Sequence, residues 1–80
     1  MDDDDIVERI NALANEEHEL ERTHSGASVS TQEQRRLKDI EVALDQCWDL
    51  LRQRRARRDA GQNPDGAEVR PETVVEGYRQ

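Results

Sequence analysis

An apolar stripe runs through the second half of this chain, with side chains at alternating spacings of three and four residues. The stripe consists of Leu37, Ile40, Leu44, Cys47 and Leu51. Residues at those spacings share one face of an α-helix, so the stripe predicts a helix that buries one side. The same helix would continue into five arginines, which are Arg52, Arg54, Arg55, Arg57 and Arg58. The junction predicts a buried helix with a charged end.

A second apolar stripe lies earlier in the chain and predicts another helix. It consists of Ile6, Ile10, Leu13 and Leu20. Asp5, with Glu8 three residues later, has the pattern of a capping box, and Ser25-Gly26 supplies a left-handed stop. We therefore expect the first helix over about 5–24.

The longer stripe has its own start and stop signals. Ser30 with Glu33 forms a second capping-box pattern, and Gly61 is a natural helix C-cap, which predicts a helix over 31–60. The connecting loop is short, and two amphipathic helices joined by a short loop pack as an antiparallel hairpin.

The two stripes also suggest how the helices pair. Placing Leu20 opposite Leu37 brings Ile6 opposite Leu51, and both stripes stay in step. The same register places Asp2, Asp3 and Asp5 opposite Arg55, Arg54 and Arg52, respectively. We therefore expect the acidic start of the chain to neutralise much of the arginine cluster.

The composition changes beyond Gly61. Asn63-Pro64-Asp65-Gly66 is a strong turn signal, and Pro71 can begin a short helix over 72–76. The predicted fold class is all-α: an antiparallel, coiled-coil-like two-helix hairpin over 1–61, with a C-terminal tail over 62–80 that folds back.

The predicted core is thin for a chain in which 39% of the residues are charged and 32% are hydrophobic. A domain of this size gains little from one stripe against the entropy of ordering it. More apolar side chains flank the stripes, and these are Val7, Ala14, Val42, Ala43, Trp48 and Leu50. The tail can cover part of them and a second copy the rest, as a four-helix bundle, so we expect a homodimer.

Charge limits the classes of partner. The net charge of −7 repels nucleic acid and anionic membranes, although the arginine cluster could contact phosphates. A charge-paired structural end is the preferred interpretation of that cluster, and a nucleic-acid-associated accessory protein is the alternative. No apolar run approaches the length of a bilayer span, and Asp2 to Asp5 are the opposite of a basic signal-peptide start. With one cysteine as well, we expect a cytoplasmic protein.

The sequence offers no convergent catalytic or metal-binding set. His18 and His24 do not share a helix face, and Glu21 with His24 gives the Glu-x-x-His spacing only once. Cys47 lies mid-helix between acidic neighbours, which make a thiol less reactive. We therefore predict no catalytic residue, metal or cofactor, and a metal-dependent or redox enzyme is the weakest alternative.

Two strings resemble a family of short actinobacterial proteins of unknown function. They are LDQCWDLLRQRRA over 44–56 and VRP with VVEGY between 69 and 78. The resemblance covers essentially the whole chain and implies a small bacterial cytoplasmic protein. It transfers no catalytic or ligand-binding residue.

The function predicted from the sequence is a non-enzymatic protein-interaction or regulatory module. We expect its working surface to lie near the arginine end of the second helix and the tail. The candidate interaction residues are Trp48, Leu50, Arg54, Arg55, Arg58 and Tyr78.

Overall fold

The computed structural model describes residues 2–23 and 30–76. In these ranges the chain forms α1 (Asp3–Thr23), α2 (Thr31–Asp59), a 3₁₀ turn (Pro64–Gly66) and α3 (Glu72–Glu76). The described residues contain no strand, and the prediction of an all-α hairpin is confirmed. The predicted stop at Ser25-Gly26 and the candidate residue Tyr78 lie outside the described residues.

Helix α1 begins earlier than the sequence suggested. The Asp5 amide donates to Asp2 Oδ1 at 2.9 Å, and the Asp2 amide donates to Asp5 Oδ2 at 3.1 Å. Asp2 is therefore the N-cap, and the predicted cap at Asp5 is wrong. The earlier start places Asp3, Asp4 and Asp5 in the first turn, where the helix dipole favours negative charge.

Both ends of α2 follow local signals in the sequence. The Glu33 amide donates to Ser30 Oγ at 3.2 Å, and the Ser30 amide donates to Glu33 Oε2 at 3.4 Å, so the predicted capping box is confirmed. At the other end Gly61 has φ of +74°, and the amides of Gly61 and Gln62 donate to the carbonyls of Arg58 and Arg57. This Schellman arrangement requires the left-handed conformation that glycine adopts without strain.

The two long helices pack antiparallel and bury apolar side chains between them. Asp3 at the start of α1 bonds to Arg54 near the end of α2, and Glu16 in α1 bonds to Arg36 near the start of α2. The buried apolar side chains are Ile6, Ile10, Leu13, Ile40, Leu50 and Leu51. Both predicted stripes contribute to this core, and Leu44 and Cys47 are half-buried against it.

Leu50 differs from its predicted role. The sequence placed it beside the stripe as a candidate interaction residue, but it is only 7% exposed and packs with Ile6, Ile10 and Leu51. The reason is the path of the tail, since Ala67 packs against the same cluster. Leu50 therefore belongs to the core that the hairpin and the tail share.

The tail folds back along one side of α2. Ala67 reaches the core, while Val69 and Val74 remain among the exposed large apolar side chains. The described tail is held chiefly by polar contacts to α2, and Val69 and Val74 contribute less burial than the sequence suggests.

Candidate interaction surface

Four charged side chains join the start of α1, the end of α2 and the 3₁₀ turn. We call them the Asp3 cluster: Asp3, Arg54, Arg58 and Asp65. Arg54 is 6% exposed, and it donates from Nε to Asp3 Oδ1 at 2.5 Å and from Nη1 to Asp65 Oδ1 at 3.0 Å. Arg58 donates from Nη1 and Nη2 to the two oxygens of Asp3, at 3.1 and 2.6 Å. Paired donation of this kind fixes geometry as well as charge.

These contacts lower the pKa of the Asp3 carboxyl group. The hydrogen bond from Arg58, followed by that from Arg54, lowers the pKa of Asp3 to about 2. The same contacts raise the pKa of Arg54 and of Arg58. Asp3, Arg54 and Arg58 are therefore ionised and paired near neutral pH.

The sequence predicts that Asp2, Asp3 and Asp5 neutralise the arginines of α2. This prediction is right for Asp3 and wrong for Asp2 and Asp5. Asp3 does pair with Arg54, as the register required. Asp2 and Asp5 instead cap each other's backbone amides, so they do not reach Arg55 and Arg52. The second carboxylate on Arg54 comes from Asp65 in the 3₁₀ turn, which the register could not reveal.

A second polar group holds the tail on α2. We call it the Asp49 cluster: Asp49, Gln53 and Arg70. The Asp49 side chain is completely buried, and Arg70 donates to both of its oxygens, from Nε at 2.9 Å and from Nη2. Gln53 Nε2 also donates to Asp49 Oδ2 at 2.9 Å. Arg70 is the main cause that lowers the pKa of Asp49, against burial, which acts in the opposite direction.

Backbone atoms of the tail are bound as well. Gln53 Nε2 donates to the Glu68 carbonyl at 2.7 Å, and the Glu68 amide donates to Gln53 Oε1 at 3.4 Å. Gln46 Nε2 donates to the Arg70 carbonyl at 3.3 Å. Gln46, Asp49 and Gln53 thus form a polar stripe on the side of α2 that the tail covers.

The other side of α2 presents an exposed tryptophan. Trp48 is 48% exposed and lies in an open groove of about 480 Å³. The groove is lined by Glu17, Glu41, Leu44, Asp45 and Trp48. We call this surface the Trp48 face. The tail lies elsewhere, since Val69 lines a different groove together with Arg9, Ala43, Gln46, Cys47 and Leu50.

Comparison with known proteins places the chain in a family. A family model described as a protein of unknown function, DUF2630, matches residues 2–80. The chain belongs to the DUF2630 family. Proteins of Mycobacterium tuberculosis and Mycobacterium bovis, both named as uncharacterised, are 50% identical to it over 78 residues. The match covers 95% of this chain and 88% of each relative. No solved structure matches.

The predicted resemblance to an actinobacterial family is therefore confirmed. The described candidate residues of this DUF2630 chain do not form one surface. Trp48 and Arg55 are exposed, Arg54 and Arg58 belong to the Asp3 cluster, and Leu50 is buried. Among the ion pairs of the described residues, none involves Arg55.

Cys47 of the DUF2630 chain is a packed thiol. It lies half-buried against the core, and burial raises the pKa of the thiol, with the charge of Arg9 acting in the opposite direction. The sequence attributes the low reactivity of the thiol to acidic neighbours, whereas in the structure the loss of solvent around Cys47 raises its pKa. The described residues contain no group of three His, Cys, Asp or Glu side chains that could hold a metal ion. Within the same ranges, no helix has the length and apolarity needed to cross a membrane.

The Asp49 cluster is the feature that sequence reasoning missed. The sequence suggests no role for Asp49 beyond that of an acidic neighbour of Cys47, although Gln46, Asp49 and Gln53 repeat at spacings of three and four, like the apolar stripe. That repeat of polar side chains with backbone-binding amides is the signal that could have revealed it. It marks the side of α2 on which the DUF2630 tail lies.

Proposed function

We propose that this protein is a small, non-enzymatic protein-interaction module that presents the Trp48 face to a protein partner. The observation that supports this most is the exposure of Trp48, the one tryptophan of the chain, beside an open groove. Tryptophan is a frequent anchor of protein interfaces, because it buries a large area at a small cost in side-chain entropy. The chain has one cysteine, which favours a reducing compartment. We therefore propose that the protein acts in the cytoplasm.

The surroundings of Trp48 suit recognition better than catalysis. Leu44 and Trp48 contribute apolar surface to the groove, and Glu17, Glu41 and Asp45 contribute negative charge. Protein interfaces combine a large aromatic anchor with polar and charged side chains around it. The carboxylates would fix orientation and the tryptophan would supply most of the affinity.

The fold holds α2 rigidly beneath this surface. The Asp3 cluster ties one end of α2 to α1 and to the 3₁₀ turn, and the Asp49 cluster ties its side to the tail. A rigid helix presents its side chains without an ordering cost at the moment of binding. This arrangement favours a surface that is formed before the partner arrives.

The nucleic-acid alternative draws less support from the geometry. Arg54 and Arg58 donate to Asp3, and Arg54 also donates to Asp65, so their two positive charges are balanced within the chain. Arg52 and Arg55 remain exposed, in a protein of net charge −7. Sequence-independent binding to phosphates depends on an excess of positive charge, which this end lacks.

A comparison of three baits tests the proposal. Wild type, Trp48→Ala and Val69→Ala would be immobilised and exposed to an actinobacterial extract, and the retained proteins would be quantified by mass spectrometry. Val69 is the matched control, since it is an exposed apolar residue that lies outside the Trp48 face. We expect wild type and Val69→Ala to retain the same partner, and Trp48→Ala to lose about tenfold or more of it. Equal recovery by all three baits would remove Trp48 as the anchor.

A further inference from the structure

We infer that the Trp48 face, together with the adjacent Arg52 and Arg55 of α2, binds the same surface of a second copy of this chain, about a two-fold axis that passes close to Trp48. The inference rests on the proposed function, because it uses the same surface and names its partner. Two-fold contacts between identical surfaces are the commonest form of assembly among soluble proteins. The particular order of charges along α2 selects this partner and this geometry.

Three side chains mark the line of contact. Glu41, Trp48 and Arg55 follow one another at intervals of seven residues, which is about two turns of helix, so they lie along one side of α2. Glu41 and Trp48 line the same groove, and Arg55 is exposed one step further along. The line is therefore acidic before the tryptophan and basic after it.

A neighbouring pair repeats the same order. Asp45 and Arg52 are also seven residues apart, with the acidic residue before Trp48 and the basic residue after it. The Arg52 side chain is exposed, at 3.9 Å from the nearest Asp49 oxygen. Among these four residues the negative half precedes Trp48 and the positive half follows it.

An antiparallel pair of α2 helices satisfies both halves. When two copies meet about an axis at Trp48, residues at equal distances on opposite sides of it face each other. Glu41 of each copy then faces Arg55 of the other, and Asp45 approaches Arg52. A parallel pair would set Glu41 against Glu41 and Arg55 against Arg55, which is repulsive.

A second copy also fits better than an unrelated basic segment. A basic helix would match Glu41 and Asp45 but would meet like charge at Arg52 and Arg55. An acidic helix would match Arg52 and Arg55 but would meet like charge at Glu41 and Asp45. A partner with the same bipolar order satisfies all four charges, and the chain itself carries that order.

Apolar side chains of α1 extend the contact. Val7 is 44% exposed, and it lies two residues from Arg9, which lines the groove on the tail side. Two residues correspond to about half a turn, so Val7 lies on the flank that faces the Trp48 side. Ala14, seven residues later, shares that flank and is exposed. Two hairpins joined through these side chains form a four-helix arrangement with the tails on the outside.

A charge-exchange experiment tests the contact. The mass of wild type, Glu41→Arg and Arg55→Glu would be measured by sedimentation equilibrium, separately and as an equimolar mixture of the two variants. We expect wild type to form a dimer of the 9.3 kDa chain. Each variant alone would dimerise about tenfold or more weakly, because its symmetric pairs become repulsive. The mixture would recover a one-to-one dimer, since the introduced arginine of one variant then meets the introduced glutamate of the other.

Matched controls change the same charges elsewhere. Glu8→Arg and Arg35→Glu alter exposed residues outside the line of contact and should leave the dimer unchanged. Circular dichroism of every variant shows whether the helices are retained. Recovery in the mixture cannot come from two unfolded chains, so it separates a lost contact from a lost fold.

Several results would overturn the inference. A wild type that remains monomeric up to millimolar concentration excludes the dimer. A dimer that persists unchanged in Glu41→Arg and Arg55→Glu, or that does not return in their mixture, excludes this axis. These results would not decide the proposed function, which the bait comparison tests separately. A different protein captured through Trp48 in that comparison would still support an interaction module.

Discussion

Arg70 in the tail donates two hydrogen bonds to Asp49, whose carboxylate is completely buried on the side of α2. A buried carboxylate needs such a partner, because an unpaired charge away from water is strongly unfavourable. Gln53 supplies a further hydrogen bond to the same carboxylate but no positive charge. The tail therefore completes the fold of the hairpin, and the two should unfold together.

Removing this partner should destabilise the whole protein. We expect Arg70→Ala to lower the free energy of unfolding by roughly 1–3 kcal/mol, because Asp49 then keeps only the hydrogen bond from Gln53 and the exposed Arg52 at 3.9 Å. The loss is moderated because the Arg70 side chain is 31% exposed and water can approach. Urea unfolding followed by circular dichroism measures it.

The matched control for this measurement is Glu68→Ala. Glu68 lies in the same tail and is exposed, and α2 binds its backbone, which the substitution retains. Its effect should stay within about 0.5 kcal/mol, as for an ordinary surface substitution. If Arg70→Ala and Glu68→Ala unfold at the same urea concentration, the ion pair does not hold the tail.

Acid should weaken the Asp3 cluster over a defined range. Its arginines depress the pKa of Asp3 from 3.8 to about 2 in the folded protein. A carboxyl group with a depressed pKa stabilises the fold above its unfolded pKa, and that contribution is lost as the pH falls through the folded value. The contribution of Asp3 should therefore be complete above about pH 5 and should disappear between about pH 4 and pH 2.

Unfolding midpoints measured from about pH 7 down to pH 2 test this range. Wild type should be more stable than Asp3→Asn at neutral pH, and the difference should shrink as the solution is acidified. Asp4→Asn is the control, since Asp4 is an exposed neighbour in the same helical turn. A difference between wild type and Asp3→Asn that does not change with pH would contradict the ionic role of Asp3.

Neighbouring arginines on α2 should differ sharply in their effect on stability. Arg54 is buried and joins Asp3 to Asp65, whereas Arg55 is exposed. We expect Arg54→Ala to lower the midpoint of thermal unfolding by about 5 °C or more. Arg55→Ala should leave the midpoint of the monomer, measured at low micromolar concentration, within about 1 °C of wild type. Equal shifts in the two variants would mean that the Asp3 cluster adds little to the fold.

The thiol of Cys47 should react slowly in the native protein. Burial raises the pKa of the thiol, so the reactive thiolate is scarcer than in an unfolded chain. Alkylation by iodoacetamide at about pH 8 should be about tenfold or more slower in the native state than in urea. A native rate equal to the unfolded rate would show that Cys47 is solvated rather than packed.

The parts of the fold that the sequence predicted are those set by local or periodic signals. Ser30 and Gly61 act through hydrogen bonds to residues a few positions away, so their roles are legible without the tertiary structure. The pairing of Asp3 with Arg54 followed from two stripes that stay in step over their whole length. The register of two helices joins residues far apart in the chain. It can still be predicted, because many residues along both stripes determine it together.

The features that the sequence did not predict are of two kinds. One depends on which of several aspartates caps α1, and the other depends on the path of the tail. Asp2 and Asp5 can each cap a helix, and the start at Asp2 is the one that brings Asp3 to Arg54. The burial of Leu50 and Asp49 depends on where the tail crosses α2. No periodic pattern in residues 62–76 fixed that crossing, because the tail is held by isolated polar contacts.

The pairing of Gln53 with Glu68 has a consequence for substitutions of Glu68. The side-chain amide of Gln53 contacts the main-chain N–H and C=O of Glu68, as one peptide group contacts another in a sheet. Recognition of this kind depends on chain position and is indifferent to the side chain presented there. A substitution of Glu68 by any residue other than proline can therefore change the outward surface at this position while keeping its attachment to Gln53.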